Sequence, residues 1–566
     1  MQMKINEKLL AATLYFGTPF ISIFLLLDQV TDPVNATKLV ALGVISIAAL
    51  GLSLVTHRGL ALKASPKFAL ALAVFSIFGF ISTITGDAPF SQNFYGEFGR
   101  NTGFLTLILL VAIALSAATL RNVSNFKKIL IGLMVAGLVN SLYSLWVVLY
   151  GDFLPWNNPY GNFLGTFGNP NFVSSFLGMF LTVTAAFILS NNLNWIKRLG
   201  FLIGIAVTFF LILKSNSIQG IAVAGIGVSV SLFFFVQSRY SSIFVWLYSG
   251  LIAVVGVFAV LGTLQKGPLA QYLFKTSVSL RGEYWSAGIN MGNANPLTGV
   301  GLDSYGDWFR RARRDSAIVL PGPDTVSNAA HNVVIDYFAS GGWPLLLSYM
   351  FIIGLTLFSV IQIAKRSKSY DPIFVGLFAT WLCFMAQAII SINQIGLAVW
   401  GWVLTGSLIG YEIATRPLNS EPINTQVEKG RKTNIKSKKQ STGAIPVALA
   451  GGLVGLLLAL PPLQADMTWR NALKSGDAMQ VEAALSVDYM HPRDASRLGN
   501  AYSLFERNGL GDMAYKWVKI ATAYSPDHFD FWKMLYYASK STEEDKRIAL
   551  ENMKRLDPLN PDVLKV

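Results

Sequence analysis

Charge is what this sequence has least of. Only 13% of its 566 residues are Asp, Glu, Lys or Arg, about half the ~25% of ordinary globular chains. So little charge cannot cover a soluble protein of this length, which excludes a soluble globule, a coiled coil and a disordered chain. Cysteine is almost absent. Cys383 stands alone in an apolar run, so neither an intrachain disulfide nor a thiolate metal site can form. Strict apolar–polar alternation is missing as well, and continuous apolar runs exclude a strand barrel. What is abundant is hydrophobic residues, 53% of the chain, with 38 Phe. The class left is all-α: a polytopic helical membrane protein. The net charge of +14 then speaks of membrane sidedness, with no nucleic-acid partner implied.

A spanning helix needs about 20 mostly apolar residues. Thirteen stretches qualify, near 9–27, 37–56, 68–85, 103–120, 129–150, 172–190, 196–213, 217–236, 243–262, 332–361, 372–391, 395–413 and 443–463. This predicts about twelve core spans plus one extra. The first is too long for a secretory signal and lacks a small-residue cleavage site, so it reads as a retained anchor.

Basic residues orient the spans. With Lys4 and Lys8 in the cytoplasm, strict alternation also places there Arg58, Lys63, Lys67, Arg121, Lys127, Lys128, Lys197, Arg198, Arg239, Lys365, Arg366 and Lys368. The opposite loops at 28–36, 151–171 and 391–394 carry no basic residue. This is the positive-inside pattern, with the N-terminus cytoplasmic in an inner membrane. One outer loop, 263–331, breaks it with Lys266, Lys275, Arg281, Arg310, Arg311, Arg313 and Arg314. Long loops translocate regardless of charge.

The expected domains are a membrane-embedded unit over 1–413, a basic cytoplasmic linker over 414–442, a thirteenth span over 443–463 and an extracytoplasmic soluble helical unit over 464–566. In the last, Pro492, Pro526 and Pro558 are 34 and 32 residues apart. That spacing is similar to the ~34-residue period of tetratricopeptide helix pairs, and makes the unit a candidate protein-binding module. Gly451, Gly452 and Gly455 suit the thirteenth span to close helix packing; a plain anchor fits equally.

Spans 68–85, 129–150, 172–190 and 243–262 carry no charge, which speaks against a proton-coupled carrier. Unusual polar residues gather instead at outer helix mouths. They are Gly96-x-x-x-Arg100, Gly168-Asn169-Pro170-Asn171, Arg281-x-x-x-Trp285 followed by Pro296-x-x-Gly299-x-Gly301, and the pair His331-Asn332. Taken in this order, the four segments resemble the O-antigen ligase and O-antigen polymerase family of bacterial envelope glycosyltransferases. The resemblance covers most of residues 80–411, and some members also carry a tetratricopeptide-like tail.

The resemblance implies a reaction. A glycan on a polyprenyl diphosphate passes to an acceptor hydroxyl of a glycolipid, glycan or protein, with inversion, and without metal or other cofactor. Arg281 and Arg100 match the family's arginines, and two guanidinium forks suit a diphosphate. His331 matches the family histidine, an imidazole suited to take a proton from the attacking hydroxyl or to orient it. Many relatives have a Ser-Arg pair where this chain reads Lys214-Ser-Asn-Ser-Ile-Gln219. Here Lys214 is the candidate replacement cation for the donor. Gln219 and Asn332 are candidate substrate contacts. Ligase and polymerase both remain open, as do a lipid-linked-sugar flippase and a receptor-like scaffold.

Structural readings stand beside these. Arg100 and Arg281 at helix mouths suit lipid phosphates, and Asn169-Pro170 suits a helix start. The cluster Arg310–Arg314 reads as an interfacial face against anionic headgroups. Glu283 and Asp336 read as salt-bridge partners.

Overall fold

The computed structural model describes residues 2–57, 65–191, 193–274, 276–367, 369–417 and 443–564. Among these the chain is all-helical, without strands. Arg58, Lys63, Lys368 and most of the expected linker (418–442) lie outside the described residues.

The apolar runs become α1 (Gln2–Ile23), α2 (Asn35–His57), α3 (Pro66–Thr85), a short α4 (Phe90–Tyr95), α5 (Phe104–Ala118), α6 (Val123–Tyr150), α7 (Pro170–Ile188), α8 (Trp195–Lys214), α9 (Ile218–Arg239) and α10 (Ser242–Thr263). The long loop folds into α11 (Ala270–Leu273), α12 (Thr276–Ala294), α13 (Tyr305–Ala312) and α14 (Ser316–Val319). Then come α15 (Val333–Arg366), α16 (Pro372–Ile390), α17 (Ile395–Ala414) and α18 (Ala444–Ser475). Side chains cap several starts: Asn122 on α6, Asn169 on α7, Asn194 on α8 and Asp371 on α16. Each satisfies amide groups that the first turn leaves open.

Eleven of the described helices are long and apolar enough to cross a membrane, so the protein is a multi-pass membrane protein. Two of the thirteen expected stretches fall outside that count. Helix α5 has 15 residues, about 22 Å at ~1.5 Å per residue. Helix α1 takes in Asn6, Glu7 and Lys8 and stops at Ile23, so the apolar run 24–27 continues as non-helical chain. Both are packed inside the bundle, α1 against α2, α6 and α17, and α5 against α2 and α17. The early stop of α1 frees carbonyls. The fully buried Lys38 ammonium donates to Ser22 O at 2.7 Å and Phe24 O at 3.0 Å, and Thr166 Oγ1 donates to Ser22 O at 2.8 Å.

Helices α7 and α17 are nearly enclosed, whereas α10 presents its length to the surroundings. Helix α18 packs on α2 through glycines: a Cβ on Gly43 would sit 2.5 Å from Gly455 O. The extra helix is therefore tied to the bundle by close backbone approach. It also runs through Pro461 and Pro462, past residue 463, to Ser475.

Beyond it lie α19 (Ala478–Ala483), α20 (Ala495–Arg507), α21 (Gly511–Tyr524), α22 (Phe529–Tyr537), α23 (Glu543–Leu556) and α24 (Pro561–Leu564). Helices α20 and α21 pack as a pair, as do α22 and α23. This unit docks on α13, which corrects the headgroup reading of the arginine cluster. Arg313 meets Asp557 at 2.8 Å, and both side chains are fully buried. Arg310 reaches Asp557 at 3.2 Å and Asp530 at 3.1 Å, with its guanidinium 4.5 Å from the Phe529 ring centre. Arg311 lies over Trp308 and pairs with Asp527 at 3.6 Å. Their partners are carboxylates of the C-terminal unit.

Removing one member of a buried ion pair costs ~3–5 kcal/mol, because the other charge stays buried. Asp557→Ala should therefore release the C-terminal unit from α13. Limited proteolysis of the purified chain should show faster cutting after α18. An unchanged digestion pattern would refute the clamp.

Candidate active site

At one end of the bundle the inter-helix segments converge on a cavity of about 1180 Å³. Its wall includes the 27–35 segment, Arg100, Trp156, Tyr160, the Gly168–Asn171 region, Gln219, Arg281, Tyr284, Trp285, His331, Asn393 and Arg470. Four of the six side chains singled out by sequence thus share one space: Arg100, Gln219, Arg281 and His331.

Arg100 rides on the loop between α4 and α5. The half-buried Asp303 carboxylate holds that loop, accepting Glu97 N at 3.0 Å, Thr102 N at 3.1 Å and Thr102 Oγ1 at 2.8 Å. The Arg100 guanidinium donates to Asn328 O at 3.0 Å. Asn328 Nδ2 in turn donates to Glu97 Oε1 at 2.7 Å. Burial pushes the Glu97 carboxyl up to about 8, against the pull of Arg100. Asp303 and Asp336 also feel the Arg100 charge, but among the described residues no carboxylate forms an ion pair with it.

Arg281 projects from α12, one turn before Trp285, and both line the cavity. Among the described residues no acceptor or carboxylate engages Arg281, and burial lowers its pKa from the usual guanidinium value. The shift leaves it charged. Glu283 on the same helix accepts from Ser316 Oγ at 2.9 Å, a hydroxyl contact where a salt bridge was expected.

His331 stands just ahead of α15 with φ +56°, a left-handed backbone that non-glycine residues rarely adopt. Asp336 fixes the approach, accepting Ala330 N at 2.6 Å; it too pairs with backbone and no cation. The His331 ring stacks on Tyr284, ring centres 5.5 Å apart. The Tyr305 hydroxyl donates to Tyr284 O, which ties the stack to α13. Burial, then the charges of Arg100 and Arg281, push the imidazole down to about 4. His331 is therefore neutral at physiological pH.

The glycines of the third motif have a packing role. Val300 N and Gly301 N donate to Ala339 O and Ser340 O at 2.9 and 3.0 Å. A Cβ on Gly299 would lie 2.1 Å from the Ser340 backbone. The loop is pinned at the break in α15 at Gly342.

Gln219 is 5% exposed, and neither amide atom has a hydrogen-bond partner. A buried amide facing a cavity without a partner is costly unless a ligand satisfies it. Two sequence readings change. Lys214 does not line the cavity; it is exposed at the end of α8, its ammonium 5.7 Å from the Phe210 ring centre. A cation facing outward there cannot substitute for one inside. Asn332 is occupied as the cap of α15, its side-chain oxygen accepting Val334 N at 3.0 Å and Ile335 N at 3.2 Å. Asn169 both caps α7 and lines the cavity, donating to the Tyr160 hydroxyl at 3.0 Å.

Sequence reading missed Trp156, Tyr160, Asn393 and Arg470. The loop residues carry no spacing signal. Arg470 had one, since Asp466, Arg470 and Lys474 recur every four residues on one helix face.

Gln219→Leu should raise the melting temperature of the unliganded protein, since an unsatisfied buried amide costs about 1–3 kcal/mol. The same change should weaken substrate binding. A lower melting temperature would show that the amide is satisfied internally.

No curated protein matches the chain. Residues 199–350 match the family model for O-antigen ligase. The matched stretch runs from α8 into α15 and contains Gln219, Arg281 and His331; Arg100 and Arg470 lie outside it. The stretch similar to the O-antigen ligase family thus forms the Gln219, Arg281 and His331 side of the cavity.

Proposed function

We propose that this protein is a glycosyltransferase of the cytoplasmic (inner) membrane. Its N-terminus is cytoplasmic, and the cavity and C-terminal unit face outward. It moves a glycan from a polyprenyl diphosphate to an acceptor hydroxyl of a glycolipid, glycan or protein. The observation that carries this reading is one cavity holding two guanidiniums, Arg100 and Arg281, that form no ion pair with a described residue, beside a neutral imidazole, His331.

The chemistry follows from those charges. The acceptor oxygen bonds to the anomeric carbon as the carbon–oxygen bond to the diphosphate breaks, with inversion. The diphosphate leaves with the bonding electron pair, and its developing charge meets Arg100 and Arg281 in a partly dehydrated site. The hydroxyl proton passes to the unprotonated nitrogen of His331. Gln219 offers its free amide to a sugar hydroxyl. The apolar wall of Val260, Leu264, Leu273 and Leu280 suits the polyprenyl chain. A polymerase would use the same residues with a second lipid-linked glycan as acceptor.

Purified protein, lipid-diphosphate-linked glycan and acceptor in detergent provide the test. His331→Ala should lower transfer about 10²–10⁴-fold, and Arg281→Ala about 10²–10³-fold. Arg281→Lys should also be poor, because an ammonium lacks the planar fork. Full transfer by both alanine variants would overturn the assignment.

Acid dependence adds a second check. The folded pKa of His331 is lowered, so its base form persists above about pH 4 and is lost as pH falls through that value. kcat/KM should be flat on this limb near neutrality and fall toward pH 4. A bound diphosphate offsets the push of the arginines, so the matching limb of kcat should lie at higher pH. A kcat/KM limb near 6.5 would contradict the buried, arginine-flanked imidazole.

A further inference from the structure

The cavity has a third arginine. Arg470 comes from α18, outside the family-matched stretch, on the helix that carries the C-terminal unit. Two neighbours on the same face fasten α18 to the 27–35 segment. Asp466, one turn earlier, accepts Thr31 N and Asp32 N at 2.9 Å each. Lys474, one turn later, donates to Asp28 O at 2.7 Å. Arg470 sits between these fastenings with its side chain on the cavity wall.

Two nearby carboxylates are engaged elsewhere. Asp466 is fully buried and holds backbone amides. Asp32 accepts Val34 N at 3.0 Å, Asn35 N at 3.1 Å and Ala36 N at 3.3 Å at the start of α2. Asp28 shares the cavity wall, but no ion pair joins it to Arg470. Among the described residues Arg470 has no ion-pair or hydrogen-bond partner, and its Nε is buried without an acceptor. A guanidinium so placed is completed by an oxyanion from outside the protein.

Position says which substrate brings that anion. The apolar wall and Arg281 belong to α10–α12, and α10 faces the surroundings of the bundle. Helix α18 packs on α2, so Arg470 comes from a different wall. The lipid tail and diphosphate of the donor take the first wall, which leaves the second to the acceptor. Resting on the transfer reading above, we infer that Arg470 forms an anion subsite for the acceptor. It holds a phosphate or carboxylate carried on the acceptor glycan. The C-terminal segment then contributes directly to acceptor choice.

The test uses the full chain and two acceptors, a phosphorylated lipid A–core glycolipid and the same glycolipid after phosphate removal. Binding to immobilised wild-type protein and Arg470→Ala is measured first, then transfer kinetics. Arg470→Ala should weaken binding of the phosphorylated form about tenfold or more. The dephosphorylated form and the KM for donor should be unchanged. Arg470→Lys should recover part of the loss, and both variants should melt with wild type, because Arg470 bonds to none of the described residues. Equal binding of the phosphorylated form by wild type and Arg470→Ala, absence of binding included, overturns the subsite. So does an equal loss with both acceptors, or a rise in donor KM. Binding is read without turnover. A wild-type protein that binds but never transfers therefore counts against the glycosyltransferase reading, separately from Arg470.

Discussion

A positive charge that is partly out of water and has no counter-ion is the constraint on which this structure turns. Arg100, Arg281 and Arg470 all reach one cavity, and among the described residues none is ion-paired with a carboxylate. Carboxylates are near, yet they hold backbone. Asp303 binds the Arg100 loop, Asp336 the approach to His331, Asp466 the 31–32 turn, and Asp32 the start of α2. Acidic side chains thereby shape the cavity without forming ion pairs with its guanidiniums. On the proposed reading an anionic substrate supplies the missing half of each interaction, which is how binding sites differ from structural ion pairs.

The same residue types do the opposite at the domain junction. Arg310 and Arg313 are ion-paired with carboxylates of the C-terminal unit, and Arg313 and Asp557 are buried together. That clamp is not remote from the cavity. Helix α13 carries Tyr305 and Phe309, which pack toward Tyr284, and Tyr284 stacks on His331. The C-terminal unit therefore reaches the cavity twice, through α13 to the imidazole and through α18 to Arg470.

The apolar architecture was legible because a bilayer demands long uninterrupted runs and leaves little room for other solutions. Arg100, Arg281 and His331 drew notice because each sits in a short motif at a helix mouth, and Gln219 because it lies where many relatives carry a Ser-Arg pair; all four line the cavity. What stayed hidden depends on pairing across long chain separations. Nothing in the run Arg310–Arg314 says that its partner is Asp557, and headgroups were an equally physical answer. Lys214 was misassigned because charge is visible in a sequence while facing is not. Asn332 was misassigned because an amide at a helix start serves the backbone first. Arg470 lay past the expected end of the last span, where the helix continues through two prolines.

The central claim is that the cavity is an oxyanion site by virtue of guanidiniums that the protein leaves unpaired. Equilibrium binding of a polyprenyl diphosphate to the purified full chain, wild type against Arg281→Ala, addresses it most directly. Loss of a charge-assisted contact predicts a Kd raised about tenfold or more in the variant, with the difference shrinking as salt is added. Equal affinity of the two proteins at low salt would contradict it.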